Sequence, residues 1–180
     1  MTRKKSSEMT EIQKRGRNNK KRGYSSEVSL VKFLTDKGLP AKRVVMSGAL
    51  KNYVESLPGL ADIYRGDVIL ECGKRLIRVE VKSRKKLPAY VVGRRNDKSW
   101  PVKEIDSLCY ILTEDEFLGL CYKGSLPEGG IKINPVRCKG LVDWFEQDES
   151  EIVAMKEFGK QTWYFAVKST AAKKIGGKYK

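Results

Sequence analysis

The chain has 180 residues, and a hydrophobic content of 40% is sufficient for one compact domain with its own core. Lysine and arginine total 37 against 22 aspartates and glutamates, and the resulting net charge of +15 favours a polyanionic partner such as nucleic acid. The sequence contains no histidine, which excludes histidine-based nuclease chemistry and Ser-His hydrolases.

The cysteine and glycine residues exclude several further classes of protein. The four cysteines show no CxxC spacing, so we expect no zinc site and free thiols in a reducing, cytoplasmic compartment. The glycine pairs lack the context of a phosphate-binding loop, and no apolar run approaches the roughly 20 residues of a membrane span. We therefore predict no nucleotide cofactor and no membrane partner. The cysteines are Cys72, Cys109, Cys121 and Cys138, and the tryptophans, interpreted as core or interface residues, are Trp100, Trp144 and Trp163.

The two ends of the chain are predicted to lie outside the folded domain. Residues 1–22 contain almost no apolar residues and many basic ones, which is typical of a disordered basic arm that can lie along phosphates. Arg22 is the last basic residue of this arm and a candidate DNA contact. Residues 23–169 then form a single domain, and residues 170–180 form a second basic tail.

The first predicted element of the domain is a helix over residues 24–37. A serine cap at residue 25 or 26 begins it, and Gly38 ends it with a proline beyond. Helical periodicity places Glu27 between the apolar residues Leu30 and Leu34, on the side that faces the core. One interpretation is that Glu27 only stabilises the first turn through the helix dipole. The other is that it reaches a functional site.

The segment from Asp67 to Lys82 predicts a hairpin that carries chemistry. With residues 73–74 as a two-residue turn, each cross-strand pair has numbers that sum to 147, so Asp67 faces Glu80. Strand alternation then places Lys82 on the same face as Glu80. Opposed carboxylates repel unless a cation lies between them. An ordinary exposed hairpin, whose acids and bases pair across the strands, is the alternative interpretation.

The remaining apolar runs predict short strands and one further helix. Together these elements predict an α/β fold with a mixed central sheet flanked by helices. The late helix is predicted from the acidic residues at its start and a glycine after it. The predicted strands cover residues 43–46, 68–70, 76–81, 90–92, 108–112, 117–122 and 161–167, and the late helix covers residues 148–158.

The acids and the lysine of the hairpin suit metal-dependent phosphodiester cleavage. A magnesium-like ion prefers hard oxygen ligands such as carboxylates, with water and phosphate oxygens completing its shell. Such an ion acidifies a bound water and neutralises charge on the phosphodiester, and an ammonium group nearby can assist either step. Lys82 suits that second role.

The order of Glu27, Asp67 and then Glu80-Val81-Lys82, followed by the basic segment SRKK, resembles the PD-(D/E)XK nucleases. Within them it is similar to the archaeal-type and phage Holliday junction resolvases, from about residue 22 to about residue 95. The resemblance implies a restriction-endonuclease-like fold, a Mg²⁺ cofactor for which Mn²⁺ can substitute, and a homodimer. It also implies metal binding by Glu27, Asp67, Glu80 and Val81, and catalysis by the three acids with Lys82.

The sequence departs from the family pattern beside the second acid. Gly66 stands where the family has proline, and the chain between Ser47 and Gly66 is longer than the family's loop. Asp62 is therefore a rival metal ligand. The tight turn aligns Asp67 with Glu80, whereas Asp62 would lie beyond the paired strands, so we favour Asp67.

Basic residues near the predicted site are candidate DNA contacts. Contacts of this kind fix position without reading bases, so binding should depend steeply on salt. The predicted function is a structure-selective DNA endonuclease that resolves four-way junctions of double-stranded DNA by paired nicks. The alternatives are a nuclease of the same fold that acts on other DNA, in repair or restriction, and a non-catalytic DNA-binding protein. The candidate contacts are Arg22, Arg43, Ser47, Arg84, Lys85, Lys86, Arg94 and Arg95.

Overall fold

The computed structural model of the protein describes residues 11–44, 66–92, 108–126, 131–132, 138–147 and 149–179. The helices are α1 (Glu11–Asp36), α2 (Ala89–Val92), α3 (Glu114–Lys123), α4 (Lys139–Gln147) and α5 (Ser169–Ile175). The strands are β1 (Ala41–Arg43), β2 (Val68–Cys72), β3 (Arg75–Arg84), β4 (Leu108–Thr113), β5 (Ile131–Lys132), β6 (Ile152–Glu157) and β7 (Tyr164–Lys168).

These strands form one seven-stranded sheet in the order β1-β2-β3-β6-β7-β4-β5. Strands β3 and β6 run parallel, and each other neighbouring pair runs antiparallel. The α/β class with a mixed central sheet flanked by helices, predicted from the sequence, is confirmed. Because β3 and β6 are parallel, the chain between them must cross back over the sheet, and α4 lies at the end of that crossover.

Helices cover both faces of the sheet. One face, called here the α1 face, packs against α1, α3 and α5 and holds the larger core, including Leu34, Ile77 and Val79. The other, called the α4 face, packs against α2 and α4 and holds a smaller core that includes Leu141 and Phe145. Alternate residues of β3 point to opposite faces, so this one strand contributes to both layers.

Helix α1 is longer than the sequence predicts. It begins at Glu11 instead of residue 25 or 26, so residues 11–22, predicted to be disordered, are helical and exposed. Lysine and arginine are good helix formers, and helix propagates readily from the packed part of α1 into this basic segment. Its end is as predicted, because Gly38 adopts a left-handed φ of 74° just after the helix.

Residues 117–122, predicted as a strand, lie in helix α3 instead. A capping box begins this helix: Glu116 accepts a hydrogen bond from the backbone N–H of Thr113 at 2.8 Å. Gly124 ends it with a φ of 70°. The strand prediction followed the apolar run and missed the Thr-x-x-Glu signal ahead of it, which was present in the sequence.

The predictions for two further segments were also wrong. Residues 148–158 were predicted as a helix, but residues 152–157 form strand β6, whose first four residues are all buried. An unbroken apolar run of this kind fits a central strand covered on both faces. Residues 90–92, predicted as a strand, belong to the short helix α2, which follows Pro88; proline favours the first turn of a helix.

The C-terminal segment packs into the core and is not a tail. Ala171, Ala172 and Ile175 of α5 are buried, and so is Tyr179, whose hydroxyl donates a 2.9 Å hydrogen bond to the carbonyl of Glu71. The basic residues that suggested a tail share the segment with this apolar set. None of the helices that the structure describes combines the length and apolar character of a membrane-spanning segment.

Candidate active site

The hairpin of β2 and β3 has the predicted register. Val68 pairs with Val79, Leu70 with Ile77 and Cys72 with Arg75, so each pair sums to 147 as the two-residue turn requires. Gly73 in that turn has a φ of 60°, a conformation that glycine adopts without strain. Glu80 and Lys82 consequently lie on the α4 face, opposite the apolar residues of β3.

Asp67 departs from this register at the start of β2. Its backbone N–H donates to the carbonyl of Val79 at 3.1 Å, so it does not continue the ladder as a direct partner of Glu80, and that detail of the prediction was wrong. Its carboxylate accepts a 2.9 Å hydrogen bond from the backbone N–H of Val81 instead. Asp67 is therefore held beside the residue that separates Glu80 from Lys82.

Gly66 explains both the departure from the ladder and the missing proline. Its φ is 80°, whereas the proline ring fixes φ near −65°, so proline cannot adopt this conformation. A Cβ on Gly66 would also lie 3.5 Å from the carbonyl oxygen of Val79. The glycine thus allows the tight bend that presents the Asp67 carboxylate to the backbone of β3.

Glu80 and Lys82 form an ion pair on the α4 face. Glu80 is buried, with 4% of its surface exposed, and its carboxylate accepts a hydrogen bond from the Lys82 ammonium group. Removing a carboxylate from water is costly unless a cation or hydrogen bonds compensate for the lost hydration. The Lys82 side chain is 21% exposed, so it connects the buried acid with the surface.

Glu27 lies near Asp67 and is ion-paired with Arg43. It lies in the middle of α1, so the interpretation that it only caps the first turn was wrong. Its side chain is 15% exposed, and one carboxylate oxygen lies 3.2 Å from Nη1 of Arg43. Burial raises the pKa of Glu27, the hydrogen bond from Arg43 lowers it, and the nearby charge of Asp67 raises it again.

The chemistry of these groups fits a hard divalent cation, although the acids are each engaged by the protein. Glu27 contacts Arg43, Asp67 accepts from Val81 N–H, and Glu80 contacts Lys82. In the part of the chain that the structure describes, no three His, Cys, Asp or Glu side chains form a ready-made metal site. The fit therefore lies in three carboxylates, one of them with a pKa raised by burial and by a like charge nearby, and not in a preformed cage.

The candidate DNA contacts divide into two groups. Arg84, Lys85 and Lys86 are exposed at the end of β3, as an electrostatic surface beside the site requires. Arg22 lies over the ring of Phe158 at 5.1 Å, and Arg43 lies over the ring of Tyr24 at 4.6 Å in addition to its contact with Glu27. The predicted residues Ser47, Asp62, Arg94 and Arg95 lie outside the described residues.

The structure also brings Trp144 of α4 to the site. The Lys82 ammonium lies 5.9 Å from its ring centroid, and the Arg84 guanidinium lies 5.2 Å from it. The sequence interpretation treated this tryptophan only as a core or interface residue. No local pattern links positions 82 and 144, because their contact depends on the crossover that places α4 against β3.

The chain resembles known proteins over its N-terminal half. Residues 18–98 match the model of the archaeal Holliday junction resolvase (Hjc) family, a segment that contains Glu27, Asp67, Glu80 and Lys82. The resemblance found in the sequence is therefore confirmed. The 1.6 Å structure of Archaeoglobus fulgidus Hjc, a Holliday junction resolvase from an archaeal hyperthermophile, is 16% identical, covers 84% of this chain and 88% of that chain, and has a TM-score of 0.31. No curated protein matches the sequence.

Proposed function

We propose that this chain is a metal-dependent endonuclease that resolves four-way DNA junctions by paired nicks. One observation carries the proposal: within the segment that matches the resolvase family, the Asp67 carboxylate is bonded to the backbone beside the Glu80–Lys82 ion pair. An acid placed there by a glycine bend, next to a buried acid and a lysine, is the arrangement that phosphodiester hydrolysis requires.

Each residue of the site has a defined task in this proposal. Glu27, Asp67, Glu80 and the carbonyl of Val81 would hold the divalent ion, Mg²⁺ with Mn²⁺ as a substitute. When bound, the ion supplies charge neutralisation and a more acidic water. The Val81 N–H fixes the orientation of Asp67. Lys82 presents its ammonium group to the scissile phosphate, where negative charge increases during attack.

Incubation of the protein with a labelled four-way junction tests the proposal. We expect paired symmetric nicks in Mg²⁺ or Mn²⁺, and binding without cleavage in Ca²⁺ or EDTA. Lys82→Ala should abolish the nicks. Lys42→Ala is the matched control, because Lys42 also pairs with a glutamate of the hairpin, Glu71, at 2.6 Å. Binding without nicks in Mg²⁺ would contradict the proposal and favour a DNA-binding protein.

The substrate is tested by competition. A resolvase should cut the junction in the presence of excess linear duplex, because the four-way geometry supplies the preference. A repair or restriction nuclease of the same fold would instead be inhibited by the duplex or would cut it. Cleavage of duplex and junction at equal rates would reject junction resolution and leave the nuclease chemistry intact.

Asp67, and not Asp62, is the proposed metal ligand. The bond between Asp67 and Val81 N–H supports this choice. Asp67→Asn should abolish cleavage, whereas Asp62→Asn should leave it largely unchanged. The reverse result would show that the acid comes from the segment before Gly66. The amide keeps the size of the carboxylate, so both variants should unfold at wild-type urea concentrations.

Paired nicks require two active sites, so we propose a homodimer, the commonest closed assembly. Mixing wild-type protein with inactive Glu80→Gln protein should produce hybrids that nick one strand of a junction and leave the opposite strand intact. Sedimentation of the protein alone should give a mass near twice the 20.4 kDa of one chain. A monomer that still makes paired nicks would contradict this part of the proposal.

We propose that the exposed N-terminal half of α1 contacts DNA phosphates. In this helix Lys14, Arg17 and Lys21 line one surface groove together with Tyr24. Replacing the three by glutamine should reduce the slope of log affinity against log salt by about 0.9 for each phosphate that is no longer neutralised. Arg15, on another side of the helix, provides the control variant Arg15→Gln. An unchanged slope in the triple variant would reject this role for the helix.

The four cysteines are free and buried, which supports the proposed reducing, cytoplasmic location. In the described residues none of them forms a disulfide, so their oxidation is not needed to hold the fold. We also propose that the exposed cluster of Arg84, Lys85 and Lys86 grips the junction beside the scissile bond, as a basic surface adjoining an acidic site would.

A further inference from the structure

Trp144 provides a surface for two cations of β3. Lys82 and Arg84 are two residues apart, so their side chains leave the strand on the same face and both reach the α4 face. Their charged groups lie 5.9 Å and 5.2 Å from the centroid of the Trp144 ring. These distances are within the range in which a cation is attracted to an indole face, and tryptophan is the strongest aromatic partner.

The position of Trp144 is fixed by the helix that carries it. Its neighbours Leu141 and Phe145 are buried in the core of the α4 face, with 1% and 3% of their surface exposed. Trp144 itself is partly buried and packs against this core. Gly140, one turn earlier, lies along the ring, since a Cβ there would be 3.8 Å from it. The ring is therefore a fixed support and not a mobile surface side chain.

Lys82 is consequently held between an acid and an aromatic ring. A lysine side chain has four flexible carbon–carbon bonds and loses up to ~2 kcal/mol of rotamer entropy when it is immobilised. Glu80 binds its ammonium from one direction, and Trp144 supplies a second, uncharged attraction. A second attraction keeps the ammonium in place whenever the carboxylate turns to another partner.

We propose that Trp144 is a positioning residue that holds Lys82 in its working orientation and orders Arg84 beside it. This inference rests on the proposed nuclease function for the role of Lys82. Trp144 lies beyond residues 18–98, so the role is supplied by the C-terminal half of the chain and not by the segment that matches the family.

The first test measures geometry and does not depend on metal or DNA. In protein with ¹³C-dimethylated lysines, the Lys82 signal should show an upfield ring-current shift that Trp144→Leu removes. Lys156, which lies 4.7 Å from the ring centroid of Trp163, is an internal control whose signal should not change. A Lys82 signal unchanged in Trp144→Leu would overturn the contact, whatever the protein does to DNA.

The second test measures the consequence for cleavage. Trp144→Leu keeps an apolar side chain but removes the ring, and should reduce the single-turnover rate at saturating protein by roughly three- to thirty-fold. Trp144→Phe keeps a ring and should restore most of the rate. Equal loss in Leu and Phe variants with equal unfolding midpoints would indicate packing alone and overturn the positioning role.

Double variants separate the two cations. In a Lys82→Arg background Trp144→Leu should cost the rate less than in wild type if it acts through Lys82, and in an Arg84→Ala background it should cost the same. Full additivity with Lys82→Arg would overturn the proposal. If wild-type protein makes no nicks in Mg²⁺, the proposed function fails, while the lysine signal still decides whether Trp144 holds Lys82.

Discussion

The two faces of β3 serve different purposes. Toward α1 the strand presents Ile77 and Val79, which have at most 1% of their surface exposed and lie in the larger core. Toward α4 it presents Glu80 and Lys82, which pair with each other beside Trp144. The strand thus joins a dry, tightly packed layer to a layer that tolerates charge. The packed face fixes where the charged face can place its groups.

The largest expected effect falls on the charged face. Glu80→Gln should reduce cleavage by at least about 100-fold, because the amide cannot supply the negative charge of the carboxylate at the reacting centre. The amide oxygen still accepts a hydrogen bond from Lys82, so the urea midpoint should change little.

The control for this variant is Glu71→Gln, which removes the acid of the exposed Lys42–Glu71 pair in the same hairpin. It should leave the single-turnover rate within about twofold, since an exposed pair contributes little to fold or site. Equal losses in the two variants would mean that charge anywhere in the hairpin matters, and the contrast between the faces would disappear.

The next effect falls on the packed face. Ile77→Ala should lower the free energy of unfolding by roughly 2 to 5 kcal/mol, because it leaves a cavity in a fully buried position. Its neighbour Leu76 is 51% exposed, so Leu76→Ala should change stability by only about 0.5 kcal/mol. Urea denaturation measures both. If the folded Ile77→Ala protein cleaves as fast as wild type per molecule, the division of labour is sharp.

A smaller effect tests the bend that connects the two roles. Gly66→Ala should cost about 1 to 2 kcal/mol of stability because its φ of 80° suits glycine, and it should also slow cleavage by shifting Asp67. Gly66→Asn is the milder variant, since asparagine tolerates positive φ better than alanine. Gly66→Pro should be the most harmful. Normal cleavage by Gly66→Pro would show that the bend does not position Asp67.

The smallest effect asks whether both faces are dry away from the site. Cys109 lies in the core of the α4 face and Cys121 in that of the α1 face, and burial raises the pKa of each thiol to about 12. Native protein at pH 8 should therefore resist thiol reagents at both positions until it is unfolded. Rapid labelling of Cys109 alone would show that water enters the α4 face.

The same two thiols predict a dependence of stability on pH. Burial raises their folded pKa above the ordinary value of 9.0, so the stability they contribute is present below pH 9 and is lost as the pH rises toward 12. A Cys109→Ala, Cys121→Ala double variant should therefore lose stability less steeply than wild type between pH 9 and pH 11. Parallel curves from urea denaturation would contradict this role of the thiols.

Local signals predicted the hairpin correctly, and contacts that depend on distant parts of the chain escaped prediction. The glycine turn and the alternation of β3 fixed the register from Val68 to Cys72. The helix at Glu114 also had a local signal, the capping box, but the apolar run outweighed it. Strand β6 could not be distinguished from a helix by periodicity, because its burial on both faces follows from its central place in the sheet.

The site was predictable in the same measure. The order of Glu27, Asp67, Glu80 and Lys82 carried the resemblance, and the structure brings these residues near one another. The bond from Val81 N–H to Asp67 was not predictable, because it follows from a left-handed bend at Gly66 that the turn rules for the hairpin do not include. The support from Trp144 requires knowing which helix covers which strand.

The parallel pairing of β3 with β6 affects how this protein can be assembled. The hairpin is synthesised about seventy residues before β6, and Tyr179, which bonds to Glu71 of that hairpin, comes later still. A nascent chain that ends before residue 152 presents β3 with one unpaired edge, the kind of edge that joins strands of other molecules. Expression of residues 11–98 alone should therefore give aggregates, and the nuclease site should form only after the late strands are made.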